Sequence, residues 1–69
     1  MTNRQRDRLR KTQNEVIHLA ERLGYGDDTA VAVDLPQVTI GDLRKSLYPQ
    51  FCYIFEAVLR EWTNDVVQL

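Results

Sequence analysis

Pro49 stands inside the most apolar stretch of the chain, LYPQFCYIF from Leu47 to Phe55, and the apolar phase runs through it unbroken. Proline lacks the amide donor and disfavours helical geometry at the residue before it, so a helix must kink, stop or restart here. Leu47, Phe51, Ile54, Phe55, Val58, Leu59, Trp62 and Val66 nevertheless fall within one arc roughly 160° wide on a helical wheel, with Pro49, Glu56, Arg60 and Asn64 opposite. Either one helix bends with Pro49 on its solvent side, or two helices share one direction of burial.

The rest of the chain supplies one more long helical pattern. From about Asn3 to Leu23 there is no glycine or proline, and Leu9, Val16, Ala20 and Leu23 form a stripe that Ile17 and Leu19 widen. Gly24 is placed to end this helix in the left-handed conformation, with Tyr25 folding back on Ala20. Asp7 and Lys11 have the spacing of an i,i+4 ion pair. A second start signal lies in VTIGDL, where Thr39 and Asp42 form a capping box and Val38 and Leu43 occupy staple positions, so a helix begins at Ile40. Between them, residues 28–38 alternate Val31, Val33 and Leu35 with Ala30, Ala32 and Asp34. A lone strand has no partner in this chain, which favours an extended connector over a short helical turn or a strand that pairs across a dimer; Pro36 ends whatever precedes it. The predicted fold is mainly α, a single domain over residues 1–69. It is a small helical hairpin, helix about 3–23 against helix about 40–67 kinked or broken at Pro49, assembling as a homodimer.

The dimer follows from size. The nine residues of LYPQFCYIF hold four of the six aromatic side chains and the only cysteine of a 69-residue chain, and a domain so short buries only about 60% of its unfolded surface. Such domains are stapled by disulfides, a metal or oligomerisation. Cys52 has no second cysteine to pair with, and one cysteine with one histidine, His18, cannot make a Cys/His zinc site. The narrow stripe of the first helix does not match the wide arc of the second half, so a second copy is expected over Phe51, Ile54, Phe55, Val58, Leu59, Trp62 and Val66.

No segment carries a catalytic constellation. YGDD, Tyr25 to Asp28, has the wording of a polymerase metal turn but lacks the palm domain that chemistry needs; a helix cap and a polar loop explain it. Cys52 lies between Phe51 and Tyr53 with no cation nearby, and His18 projects away from the apolar stripe, so neither reads as a nucleophile or base. Neither cofactor nor metal is expected. An unpaired thiol, the absence of an apolar run after the first charges and the short apolar run Phe51 to Phe55 fit a soluble cytoplasmic protein without membrane insertion.

Net charge is −1 but unevenly spread, with Arg4, Arg6, Arg8, Arg10 and Lys11 against Asp7 alone in the first eleven residues. Glu56, Glu61 and Asp65 outweigh Arg60 in the tail, and an antiparallel hairpin or dimer would bring head and tail together. Arg4, Arg8 and Lys11 share a face that could follow phosphates, which leaves a small nucleic-acid-binding regulator as the alternative function, although the charge balance disfavours it. Arg6 and Arg10 flank the apolar stripe, and Tyr48 and Tyr53 sit at the edge of the wide arc; these four are the candidate partner-binding residues. A protein-binding inhibitor, a nucleic-acid regulator and an assembly subunit all remain open on these grounds.

The chain's size, its opening MTNRQRDRLRKTQNEV and the block DLPQVTIGDLRKSLYPQF resemble the phage-encoded quorum-sensing anti-activator family, short early proteins of temperate phages. The resemblance spans nearly the whole chain. It implies a small, largely helical dimer in the host cytoplasm that binds a host LuxR-type transcription activator and blocks its binding to DNA. It also implies a second partner, the type IV pilus assembly ATPase. No individual contact residue carries over.

Overall fold

Thr2 and Thr39 start two of the three α-helices by the same device. Each threonine hydroxyl accepts the backbone N–H three residues on, Gln5 at 3.1 Å and Asp42 at 3.3 Å, and the side chain of that residue accepts the threonine N–H in return. Two donors at each helix start are thereby satisfied. The computed structural model describes residues 2–68. In chain order they form α1 (Asn3–Leu23), β1 (Ala30–Ala32), β2 (Leu35–Thr39), α2 (Ile40–Lys45), a 3₁₀ turn (Pro49–Phe51) and α3 (Cys52–Val67).

The fold is mainly helical, as the periodicity predicts. Gly24 ends α1 at φ 82°, a conformation that glycine adopts without a Cβ clash, and the Tyr25 N–H donates to the Ala20 carbonyl at 2.8 Å. The Asp7–Lys11 pair is not among the ion pairs that close; the three among the described residues all link elements distant in sequence.

Residues 28–38 correct the reading of a single extended connector. They belong to an antiparallel hairpin in which Ala32 pairs with Leu35 and Ala30 with Thr39. Val33 and Asp34 form the two-residue turn, so Val33 projects into solvent at 96% exposure while Val31 and Leu35 are buried. No described non-glycine residue has positive φ, so the turn is not of the primed types that glycine and asparagine mark. That missing signal is why the alternation reads as one strand. Pro36 does not end the strand: Val31 alone lies opposite Pro36, Gln37 and Val38, and a bulge of this kind tolerates a residue without an N–H.

The hairpin topology of the two long helices is also corrected: α1 and α3 run parallel. The chain leaves the C-terminal end of α1 through the β-hairpin, where the N–H groups of Ile40 and Gly41 donate to the carbonyls of Thr29 and Asp27. A Cβ at Gly41 would stand 3.2 Å from that Asp27 carbonyl oxygen, so glycine permits the close approach. α2 then travels back along α1, with Arg44 bonded to Glu21 and Asp27, and with Gln13 meeting its last carbonyls. Ser46–Tyr48 leave the helix, and α3 begins beside the first turns of α1, where Arg8 approaches Glu56 at 3.4 Å. The basic head therefore meets the acidic tail at its first residue, Glu56, while Glu61 and Asp65 join none of the three ion pairs among the described residues. The helix expected from Ile40 to Val67 is broken rather than kinked, and the break opens at Ser46, before Pro49.

The core is shared by all layers. Leu9, Val16, Ile17 and Ala20 come from α1, Val31, Leu35 and Val38 from the hairpin, Ile40 and Leu43 from α2, and Phe55, Val58 and Trp62 from α3. The wide arc of α3 is thus covered by α1 on one side and by β1 on the other, and part of the area mismatch that argues for a second copy is met within the chain. Phe51, Ile54, Leu59 and Val66 stay half-buried.

Candidate protein-interaction surface

The β-hairpin does not lie flat on α3. Between them runs an open groove of about 670 Å³, with β1 and the Val33–Asp34 turn as one wall and the Tyr53, Ala57, Glu61 stripe of α3 as the other. Its floor is apolar and includes Val31, Ile54, Val58 and Trp62. Tyr25 closes the far end, its ring edge-on to Trp62 with centroids 5.3 Å apart. Three of the four large hydrophobic side chains exposed on the described residues, Tyr25, Val33 and Tyr53, line this one groove. Clustering of that kind distinguishes an interaction patch from the scattered apolar exposure of any surface.

Of the four residues singled out for partner binding, Tyr53 alone lines the groove. It is 86% exposed and stands on a ridge, because its other side borders a second groove with Gln5, Arg8 and Pro49. Tyr48 is half-buried, its ring stacked on Phe51 with centroids 6.2 Å apart, so it serves packing before recognition. Arg6 and Arg10 are exposed on α1, and Arg10 borders a separate depression with Asn14, Lys45 and Leu47 at the end of α2. Arg10 and Tyr53 thus line different grooves, and the four do not form a single site.

Sequence reasoning misses Val33, Ala57, Asp34 and Glu61. The alternation sets Val33 on one strand face with Val31 and Leu35, and only a turn at Val33–Asp34 exposes it. The remaining three need the hairpin to define an opposite wall.

A second half-exposed seam lies on the other side of α3. Leu59 and Leu19 of α1 line it together, rimmed by Glu15, His18, Arg22 and Arg60, and Val66 follows Leu59 two turns later on the same stripe. His18 is exposed, as its position on the wheel predicts.

The polar chemistry is that of surface pairs. Arg44 is held by hydrogen bonds to Glu21 at 2.8 Å and to Asp27 at 3.1 Å, which push its guanidinium further above its ordinary value, the Glu21 bond contributing most. Cys52 is half-buried, and its thiol donates to Glu56 Oε1 at 3.9 Å. Among the described residues no group of three or more His, Cys, Asp and Glu side chains could hold a metal, and no helix is long and apolar enough to cross a membrane.

No family model, curated protein or solved structure matches the chain.

Proposed function

We propose that the protein is a non-enzymatic interaction protein that inhibits by occlusion, occupying a surface its partner needs for something else. The observation that carries this reading is the gathering of exposed Tyr25, Val33 and Tyr53 around one apolar groove. Aromatic side chains with a polar tip, set beside a desolvated floor, are what binding hot spots are made of. The resemblance in MTNRQRDRLRKTQNEV and DLPQVTIGDLRKSLYPQF supplies the partner class. It is a host LuxR-type transcription activator, whose DNA binding would be blocked, with the type IV pilus assembly ATPase as a second target.

A homodimer belongs to the same proposal. Leu59 and Val66, half-buried on the side of α3 away from the groove, form with Leu19 a seam that a second copy would cover without obstructing the groove. One face would then serve assembly and the other the partner.

Titration of a candidate LuxR-type regulator, followed by a gel shift of the regulator on its operator, tests the reading. Stoichiometric loss of the regulator–operator complex is expected, and Tyr53→Ala should weaken the inhibition. The alternative, a nucleic-acid regulator, rests on the shared face of Arg4, Arg8 and Lys11; Arg8 is engaged by Glu56 at 3.4 Å, while Arg4 and Lys11 have no carboxylate within ion-pairing distance among the described residues. It predicts tight binding of random duplex at low salt, lost steeply as salt rises. Such binding, with the regulator–operator complex untouched, would overturn the inhibitor reading.

A further inference from the structure

Two charged side chains line the groove between the β-hairpin and α3, and both are carboxylates. Asp34 stands at the hairpin turn and Glu61 on α3. Among the described residues neither has a cation within 4.0 Å, although the chain carries nine lysines and arginines. The basic residues of the neighbourhood are directed elsewhere: Arg60 borders the seam on the other side of α3, and Arg44 is bound to Glu21 and Asp27. An apolar trough with unpaired acids on both walls is complementary to an apolar segment with basic flanks.

The shape narrows the occupant further. Tyr53, Ala57 and Glu61 succeed one another at i, i+4 and i+8, one ridge of a helix surface, with the small Ala57 exposed as a notch between two large side chains. A ridge of this kind receives a second helix. The other wall is a three-residue strand whose pairing is already irregular, too short to template an added strand. We infer that this groove docks a basic amphipathic helix, apolar residues on Ile54, Val58 and Trp62 and lysines or arginines on Asp34 and Glu61. The inference rests on the proposal that the groove is the inhibitory surface, and it gives the partner's chemistry. A DNA-binding protein displays such helices, since its phosphate contacts are basic.

Trp62 is the only tryptophan and lies on the groove floor, so its fluorescence reports occupancy. The probes are a synthetic Leu/Lys amphipathic helix of about five turns and a Leu/Glu helix of the same pattern, titrated into the full chain. The Leu/Lys peptide should shift Trp62 emission saturably and gain helical circular dichroism, and the Leu/Glu peptide should not. Asp34→Asn and Glu61→Gln, both exposed positions, should each weaken the Leu/Lys peptide by about two- to five-fold, and added salt should weaken it further. Equal binding of the two peptides, or charge variants that lose nothing, would overturn the basic occupant. If that happens while Tyr53→Ala still abolishes inhibition of the regulator, the groove reading survives and only the partner's charge is wrong. If instead the Leu/Lys peptide binds through Asp34 and Glu61 while Tyr53→Ala leaves regulator inhibition intact, the basic occupant stands and the regulator reading falls.

Discussion

Gln13 holds Tyr48 in place. The Tyr48 backbone N–H donates to Gln13 Oε1 at 2.8 Å, while the Gln13 Nε2 donates to the carbonyls of Ser46 at 2.9 Å and Leu43 at 3.3 Å. The glutamine is 1% exposed. It caps the C-terminal end of α2 and satisfies the segment that turns the chain into α3, so one side chain of α1 fixes the break before Pro49. Gln13→Ala leaves a buried cavity and three unpaired backbone groups, and should cost about 3 kcal/mol. A chain of this length has about 3–10 kcal/mol in all. Urea denaturation measures the loss; a midpoint unchanged from wild type would mean that water replaces the amide.

Gln13→Glu keeps the shape and changes the protonation chemistry. Burial and two facing carbonyl oxygens disfavour the carboxylate, so the folded-state pKa of the introduced carboxyl should rise above the ordinary glutamate value of about 4.3. The folded state then binds the proton more tightly than the unfolded one, so stability is retained below the unfolded value and lost as pH rises from it through the raised folded value. The variant should melt well below wild type at neutral pH and regain much of the difference as pH falls towards that value. A gap between the two melting temperatures that does not vary with pH would refute a buried carboxyl at this position.

The same contact shows why the sequence could be read only in part. The limits of α1 follow from Gly24 and the run without glycine or proline, and the start of α2 follows from Thr39 and Asp42, because these signals act within four residues. Gln13 sits on an apolar helix face as a polar interruption, and its partners lie at least 30 residues away. Nothing local marks it as structural. The β-hairpin is hidden for a related reason, since its turn lacks the glycine or asparagine that announces one. Without the hairpin the groove has one wall, and Tyr53 reads as an edge residue rather than part of a site. The parallel course of α1 and α3 likewise depends on the path of residues 24–51, which two apolar stripes alone do not specify.

Gly24→Ala should destabilise the fold by about 1 kcal/mol. The cost arises from the left-handed backbone at φ 82° and not from crowding, because a Cβ there meets nothing within 4 Å. Gly24→Asn should recover part of the loss, as asparagine tolerates this region better. Equal melting temperatures for Gly24→Ala and wild type would show that the turn relaxes.

Phe55 and Tyr53 are two residues apart and should behave oppositely. Phe55 is 0% exposed and edge-on to Phe51, so Phe55→Ala should cost about 3–5 kcal/mol, enough to leave much of the chain unfolded. Tyr53 is 86% exposed, and Tyr53→Ala should leave the melting temperature within a few degrees while weakening a partner by about 1–3 kcal/mol if it is a hot spot. Thermal melts beside a binding titration check both. A Tyr53→Ala protein that unfolds would move this residue from recognition to the core.

Assembly is tested at the seam on the other side of α3. If Leu59 and Val66 are covered by a second copy, the protein should sediment at about twice its chain mass of 8.1 kDa at micromolar concentration and dissociate on dilution. Leu59→Lys places a charge in the apolar centre of a seam rimmed by Arg22, Arg60 and Glu15, so it should favour the single chain through the desolvation cost of covering that charge. Because Leu59 is half-buried, the substituted ammonium can reach water in the monomer, and the fold should survive. The groove faces away from this seam, so a monomeric Leu59→Lys protein should still bind the partner with one-to-one stoichiometry. A wild-type species that stays at the single-chain mass as concentration rises would remove the dimer and leave the groove untouched. Loss of partner binding in a folded, monomeric Leu59→Lys protein would show that the partner needs both copies.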